Sequence, residues 1–136
     1  MRSQRPHKNL IVWQEAIELV LLVYNICKKL PNDEKFGLIS QMKRASVSVP
    51  SNIAEGAARK SNKENIQFLY ISSGSLSELD TQNTILRKLN YIDEITFTEL
   101  DDKINKVSAI LNGLIEKRKT FNLHLLITSL PHSYYV

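Results

Sequence analysis

Gln41, Ser48, Asn52, Glu55 and Arg59 are the residues of this chain whose types and spacing most invite a chemical reading. They are separated by seven, four, three and four positions. On a helix turning about 100° per residue they fall within roughly 60° of one another. The stripe lies beside an apolar face of Leu38, Met42, Ala45, Val49 and Ile53. A carboxylate drawn into such a face can have a raised pKa and exchange protons with a substrate. Glu55 on the stripe and Glu78 further along the chain are the two candidates, and an RNA-processing enzyme built on either is one reading. The same residues can also be explained as structure. Arg59 follows Glu55 by four, the spacing of a helical ion pair, and Arg44 can meet Glu78 from a facing helix. Gln41, Arg44, Ser48, Asn52, Glu55, Arg59, Glu78 and Gln82 then form a polar network that fixes helix register more than it adds net stability. This second reading accounts for more of the residues, so no catalytic residue is assigned.

Other reactive groups are sparse. His7, His124 and His132 stand in the N-terminal arm and the tail, and none has a second ligand at helical spacing, so neither a metal site nor a cofactor is expected. The single cysteine, Cys27, lies on an apolar seam. It can form neither an internal disulfide nor a thiolate cage, and a reducing, cytoplasmic setting is expected. Gly56 and Gly74 are isolated and make no phosphate loop. The longest apolar run, Leu10 to Cys27, is interrupted by Gln14, Glu15, Glu18 and Asn25. Two glutamates in a span are costly in hydrocarbon, so membrane insertion is not expected. No small-residue cleavage site follows the run, which argues against a signal peptide.

The formal net charge of +4 raises nucleic acid as a partner. Basic clusters close each expected helix, at Lys28-Lys29, Arg59-Lys60, Arg87-Lys88 and Lys117-Arg118-Lys119, while Asp33, Glu34, Glu64 and Glu99 crowd the starts. The helix macrodipole favours this arrangement. In an antiparallel bundle the clusters alternate between ends and are expected to build no single face. The surplus is Arg2, Arg5 and Lys8 in the N-terminal arm, Lys43 and Arg44 in mid-helix, and Lys63 at a turn. These six are the candidate contacts to phosphates. No run of exposed aromatics accompanies them, so base stacking is not expected to add much.

The elements that must hold these residues are helices. A chain of 136 residues with four Gly and four Pro is one domain with a core of its own. The expected helices span about 10–29, 34–59, 62–89 and 96–121, joined by short connections and followed by a tail over 122–136. Pro31 closes the first, and capping boxes at Ser61–Glu64 and Thr96–Glu99 open the last two. Seams near a 3.5-residue period, such as Leu100, Ile104, Val107, Leu111, Leu114, Arg118 and Phe121, suit shallow crossing angles. The fold class is therefore all-α, an up-down antiparallel four-helix bundle. Pro50 predicts a kink or one-turn break in the second helix, with Ser48 recapping it. Gly56 and Gly74 predict close helix approach. The first helix has two seams: Leu10, Trp13, Ile17, Val20, Tyr24 and Cys27, and Val12, Ala16, Leu19, Val23 and Ile26. One serves the core. The second seam, from Val12 to Ile26, is assigned to an interface with another copy of the chain.

The run Leu10-Ile11-Val12-Trp13-Gln14, the Pro31 turn, the segment Ser48-Val49-Pro50-Ser51-Asn52-Ile53-Ala54-Glu55-Gly56 and the segment Gly74-Ser75-Leu76-Ser77-Glu78-Leu79-Asp80-Thr81-Gln82 carry a resemblance. The pattern resembles bacterial four-helix-bundle proteins found as reading frames in intervening sequences of large-subunit ribosomal RNA genes. It covers about residues 7–120, with Ser46 and Ser73 where alanine is usual. The resemblance implies a bundle assembling into a ring, typically a pentamer, with no established enzyme activity. A more distant similarity, to the accessory variability protein of diversity-generating retroelements, implies a partnership with RNA or DNA. The combined expectation is a non-enzymatic homo-oligomeric scaffold with a basic nucleic-acid surface. The alternatives are a module recruiting a polymerase or nuclease, and the RNA-processing enzyme above.

Overall fold

The computed structural model describes residues 5–129. Arg2, His132 and the rest of the two termini lie outside the described residues. A short 3-10 turn at Pro6–Asn9 leads into α1 (Ile11–Cys27), and a second at Asn32–Glu34 precedes α2 (Leu38–Ala57). α3 (Asn62–Lys88) and α4 (Glu94–Ser129) complete the chain. Among the described residues there are no strands. α1 packs on α2 and α4, and α3 packs on the same two, and among the described residues no backbones approach closely across the diagonals.

Individual contacts fix the directions. Ser75 Oγ donates to Ser48 Oγ at 2.8 Å, Ser72 Oγ donates to the Val49 carbonyl at 2.9 Å, and Gly56 abuts Phe68. Residue numbers thus rise on α2 as they fall on α3, and the two are antiparallel. Asn83 donates to the Phe97 carbonyl and Asn62 to the Arg118 carbonyl, which gives α3 and α4 the same relation. Leu22 lies beside Glu99 and Asp102, while Val12 lies beside Gly113 and Leu114. Tyr24 meets Lys43, while His7, just before α1, lies beside Ser51 and Glu55, so α1 runs against both neighbours. The up-down bundle follows.

Helix boundaries depart from expectation in informative ways. Ser61 caps α3 as its capping box predicts, with Oγ accepting the Glu64 amide at 3.2 Å. At α4 the cap is Asp93 instead, whose Oδ1 accepts the Thr96 amide at 2.8 Å. An aspartate three residues upstream captures the free amides before Thr96 can. α4 also runs past Phe121 to Ser129, so much of the expected tail is helix. α2 passes through Pro50 unbroken. Ser48 does not recap it; its hydroxyl accepts from Asn52 Nδ2 and from Ser75.

The core answers the question of the two seams on α1, and it reverses the expected roles. Val12, Ala16, Leu19, Val23 and Ile26 are each 5% exposed or less within the single chain. They pack with Met42, Val49, Ile53, Leu79, Val107 and Leu111. The five residues assigned to an interface between copies therefore form the core of one bundle. The other seam lies at the rim: Leu10 and Trp13 are half-buried against the edge of the core, Ile17 and Val20 are half-buried, and Tyr24 is 38% exposed. Cys27 is the exception on that seam, buried as a free thiol, and desolvation pushes its pKa up.

Gly56 is where helix packing demands glycine. A Cβ there would lie 2.9 Å from Phe68 Cβ and 3.1 Å from the Asn65 carbonyl oxygen. Gly74 does no such work, since an added Cβ meets no atom within 4 Å. It lies on an open face.

Candidate nucleic-acid interface

Antiparallel topology gathers the start of α1, the end of α2, the start of α3 and the body of α4 at one end of the bundle. Arg5 and Lys8 stand at the turn before α1, Arg59 and Lys60 follow α2, Lys63 begins α3, and Lys117, Arg118 and Lys119 lie on α4. Within residues 5–12, 54–68 and 112–129 these eight bases face three acids, Glu55, Glu64 and Glu116. The opposite end is the reverse. Residues 22–40 and 82–102 hold five bases, Lys28, Lys29, Lys35, Arg87 and Lys88, against seven acids. The basic clusters do alternate between ends, but two of them join the arm and Lys63, so a single basic end does form.

Nor does the macrodipole account for the cluster on α4. Its influence fades within the last helical turn. Lys119 stands ten residues before Ser129, where α4 ends, or nearly three turns at 3.6 residues each. Lys117, Arg118 and Lys119 are charges in the body of a helix, without that electrostatic reason to be there. They are named in the sequence reading but set aside there as the charged last turn of a helix. The signal that could have found them is the run Phe121–Ile127, too apolar for a solvated tail.

The six predicted contacts divide. Arg5, Lys8 and Lys63 belong to the basic end and are exposed. Lys43 does not: its ammonium sits 4.9 Å from the centroid of the Tyr24 ring, half-buried on α2. Arg44 is exposed in mid-helix, away from the cluster. Arg2 lies outside the described residues.

The predicted polar network is found in part. Glu55 and Arg59 form their i,i+4 ion pair, and the Arg59 guanidinium also lies 4.9 Å from the centre of the Phe68 ring. Ser48, Asn52 and Ser75 are joined by hydrogen bonds, and Gln82 is buried. Gln41, Arg44 and Glu78 are exposed, and no ion pair joins Arg44 to Glu78 among the described residues. Glu55 shares a shallow cleft with His7 and Ser51, but no hydrogen bond links the three; His7 packs edge-on to Trp13 at 5.1 Å.

A cavity of about 390 Å³ opens at the α2–α3 corner of the basic end. Arg59, Lys60, Ser61, Asn62, Asn65 and Arg118 line it, with Pro6, Leu10, Gly56, Ala57 and Phe121 supplying the less polar wall. Asn65 Oδ1 and Arg118 Nε are buried behind this lining, out of reach of solvent, and have no hydrogen-bond partner among the described residues. Among the described residues no group of His, Cys, Asp and Glu could hold a metal ion. No helix is long and apolar enough to cross a membrane, again among the described residues.

Helices, topology and core define an all-α four-helix-bundle protein with one strongly basic end. The family model for the 23S rRNA-intervening sequence protein matches residues 8–113, and the chain belongs to that family. It is also similar to a crystal structure from Bacteroides thetaiotaomicron of a protein with unknown function from the S23 ribosomal protein family. That similarity is at 22% identity with a TM-score of 0.73, over 78% of this chain and 96% of the other. At that identity the likeness speaks for the fold alone. No curated protein matches the chain.

Proposed function

We propose that this protein is a non-enzymatic, homo-oligomeric helical scaffold that binds RNA or DNA through the basic end of its bundle. The observation that carries the reading is the set of eight bases against three acids at that end, with three of the bases in the body of α4. Such a surface suits a phosphate backbone, whose contacts are sequence-tolerant and fall away with salt. Glu55 and Glu78 are both exposed, and Glu55 is already paired with Arg59, which favours a structural over a catalytic role for it. The buried, free Cys27 suits a reducing, cytoplasmic setting.

Self-association is supported by the outward seam of α1. Trp13, Ile17, Val20 and Tyr24 form one apolar strip, beside Leu21 at 59% exposure. A surface helix needs one apolar stripe for its own core, and the other calls for cover. We assign that cover to a second copy, repeated around a ring; five copies, as the resemblance implies, would have a mass of about 78 kDa from 15.6 kDa chains. Gel shifts with structured RNA at rising salt, alongside light scattering, test both halves. Salt-sensitive binding by an oligomer is the expected result. No binding at low salt would remove the nucleic-acid role, and a monomer at micromolar concentration would remove the ring.

A further inference from the structure

α4 outlasts the bundle. Asn62, the first residue of α3, donates to the Arg118 carbonyl, and α4 continues for eleven residues more, to Ser129. That is about 16 Å of helix at 1.5 Å per residue. From Thr120 to Ser129 it carries no Asp, Glu, Lys or Arg, and Leu123, Leu125 and Leu126 are all exposed. At about 100° per residue the three leucines point to different sides, and a helix apolar on several sides is one that is buried on several sides. So short a segment is also marginal when it stands alone in water. The overhang lies beyond residues 8–113, the span that the family model matches.

The opposite end of the bundle complements it. Phe36, Leu89 and Ile95 are exposed there. A cavity of about 570 Å³ opens at the same end, between the last turns of α1 and the connection from α3 to α4. Leu22, Ile26, Tyr91 and Ile92 supply its apolar lining. Arg87 in its wall is already paired with Glu94, which leaves the carboxylates of Asp93 and Glu99 against Lys29. Seven acids stand against five bases across this end, and eight bases against three acids at the end from which the overhang projects. Two overhangs packed on each other would bring two basic ends together. An overhang packed on the acidic end brings opposite charges together.

We propose that the overhang docks head-to-tail on a second copy of the chain. Leu123, Leu125 and Leu126 of one copy enter the cavity at the acidic end of the next, and the basic cluster at their base faces Asp93 and Glu99. The two contact surfaces differ, so each copy both gives and receives, and units stack end to end. The inference goes beyond the reading above and does not rest on it. The ring is assigned to the flank of α1 rather than to the ends, and a nucleic acid on the basic end would take the place of a second copy.

Sedimentation velocity on the full chain, at rising concentration in low and high salt, tests the joint. Leu126→Glu blocks the overhang and Ile95→Lys blocks the acidic end; both positions are exposed, and circular dichroism checks that each variant folds. The parent is expected to form species at least about twice the mass of either variant, with the excess shrinking as salt screens the ends. That comparison holds whether the variants' own unit is a monomer or a ring. Mixed one to one, the variants should form the joint that neither forms alone, because the intact overhang of one meets the intact acidic end of the other. A parent no larger than the variants overturns the proposal, as does a mixture no larger than its components. Stacking by Ile95→Lys alone would mean that overhangs pair with each other, and stacking by Leu126→Glu alone that the overhang is not the contact; either overturns it. Capture of an unstacked parent by anionic phospholipid vesicles, lost in Leu126→Glu, would assign the overhang to a lipid surface instead.

Discussion

Placement of charge, rather than its total, is what the basic end adds, and two matched variants separate the two. Lys60, Lys63 and Lys117 are exposed on the basic end, and Lys28, Lys29 and Lys88 are exposed on the other. None of the six is in an ion pair among the described residues. Changing either set to Ser removes the same three charges, and exposed positions of this kind usually move stability by no more than about 0.5 kcal/mol. Each phosphate contact contributes about 0.7 to the slope of log affinity against log salt for single strands. Losing all three contacts at the basic end should flatten the slope by about 2. Over a fourfold rise in salt the parent should then lose about 20-fold more affinity than the variant. The control set at the acidic end should leave the slope where it was. Filter binding or anisotropy across 50–200 mM salt reads both. Equal flattening by the two sets would show that net charge alone matters, and the argument from a basic end would fail.

Three further outcomes follow from the packing and the ion pairs. Val23→Asp places a carboxylate where the side chain is fully buried, so it should unfold the chain rather than merely separate copies, and circular dichroism would distinguish these. Leu111→Ala, at an equally buried site on α4, should cost about 2–5 kcal/mol in urea titration; a loss below 1 kcal/mol would mean that the bundle is looser than described. The third concerns Glu15, which lies 2.5 Å from Lys103 Nζ and 3.3 Å from Lys106 Nζ; its hydrogen bond with Lys103 is the leading cause holding its carboxyl below the ordinary value, against some desolvation. A depressed folded-state pKa contributes stability that is present above the unfolded value and lost as pH falls through the folded one. The melting temperature should therefore fall with acidification across and below the usual carboxylate range, and Glu15→Gln should remove part of that dependence.

How much of this was legible in the sequence depended on whether the information was local. Periodicity and caps are local, and they placed the four helices well, including the Ser61 cap and the tight site at Gly56. The choice between the seams of α1 is not local. Both are apolar at the same spacing, and only α2 and α4 packing against one of them makes Val12, Ala16, Leu19, Val23 and Ile26 the core. The basic end was hidden for a different reason. Arg5 and Lys119 are far apart in the chain, and the clusters at Arg59-Lys60 and Lys117-Arg118-Lys119 each have a local explanation in the macrodipole when taken alone. Up-down topology determines which termini share an end, so the grouping could have been drawn from the expected fold by asking where each cluster lands. The length of α4 could not. Lys117-Arg118-Lys119 resembles the charged last turn of a helix, and the chain beyond it has no cap to mark continuation. Once α4 is seen to reach Ser129, the cluster loses its compensating role, and Phe121, expected on the apolar seam, stands 53% exposed on the wall of the corner cavity. The misplaced C-terminal end of α4 thus concealed the charge on which the nucleic-acid reading rests.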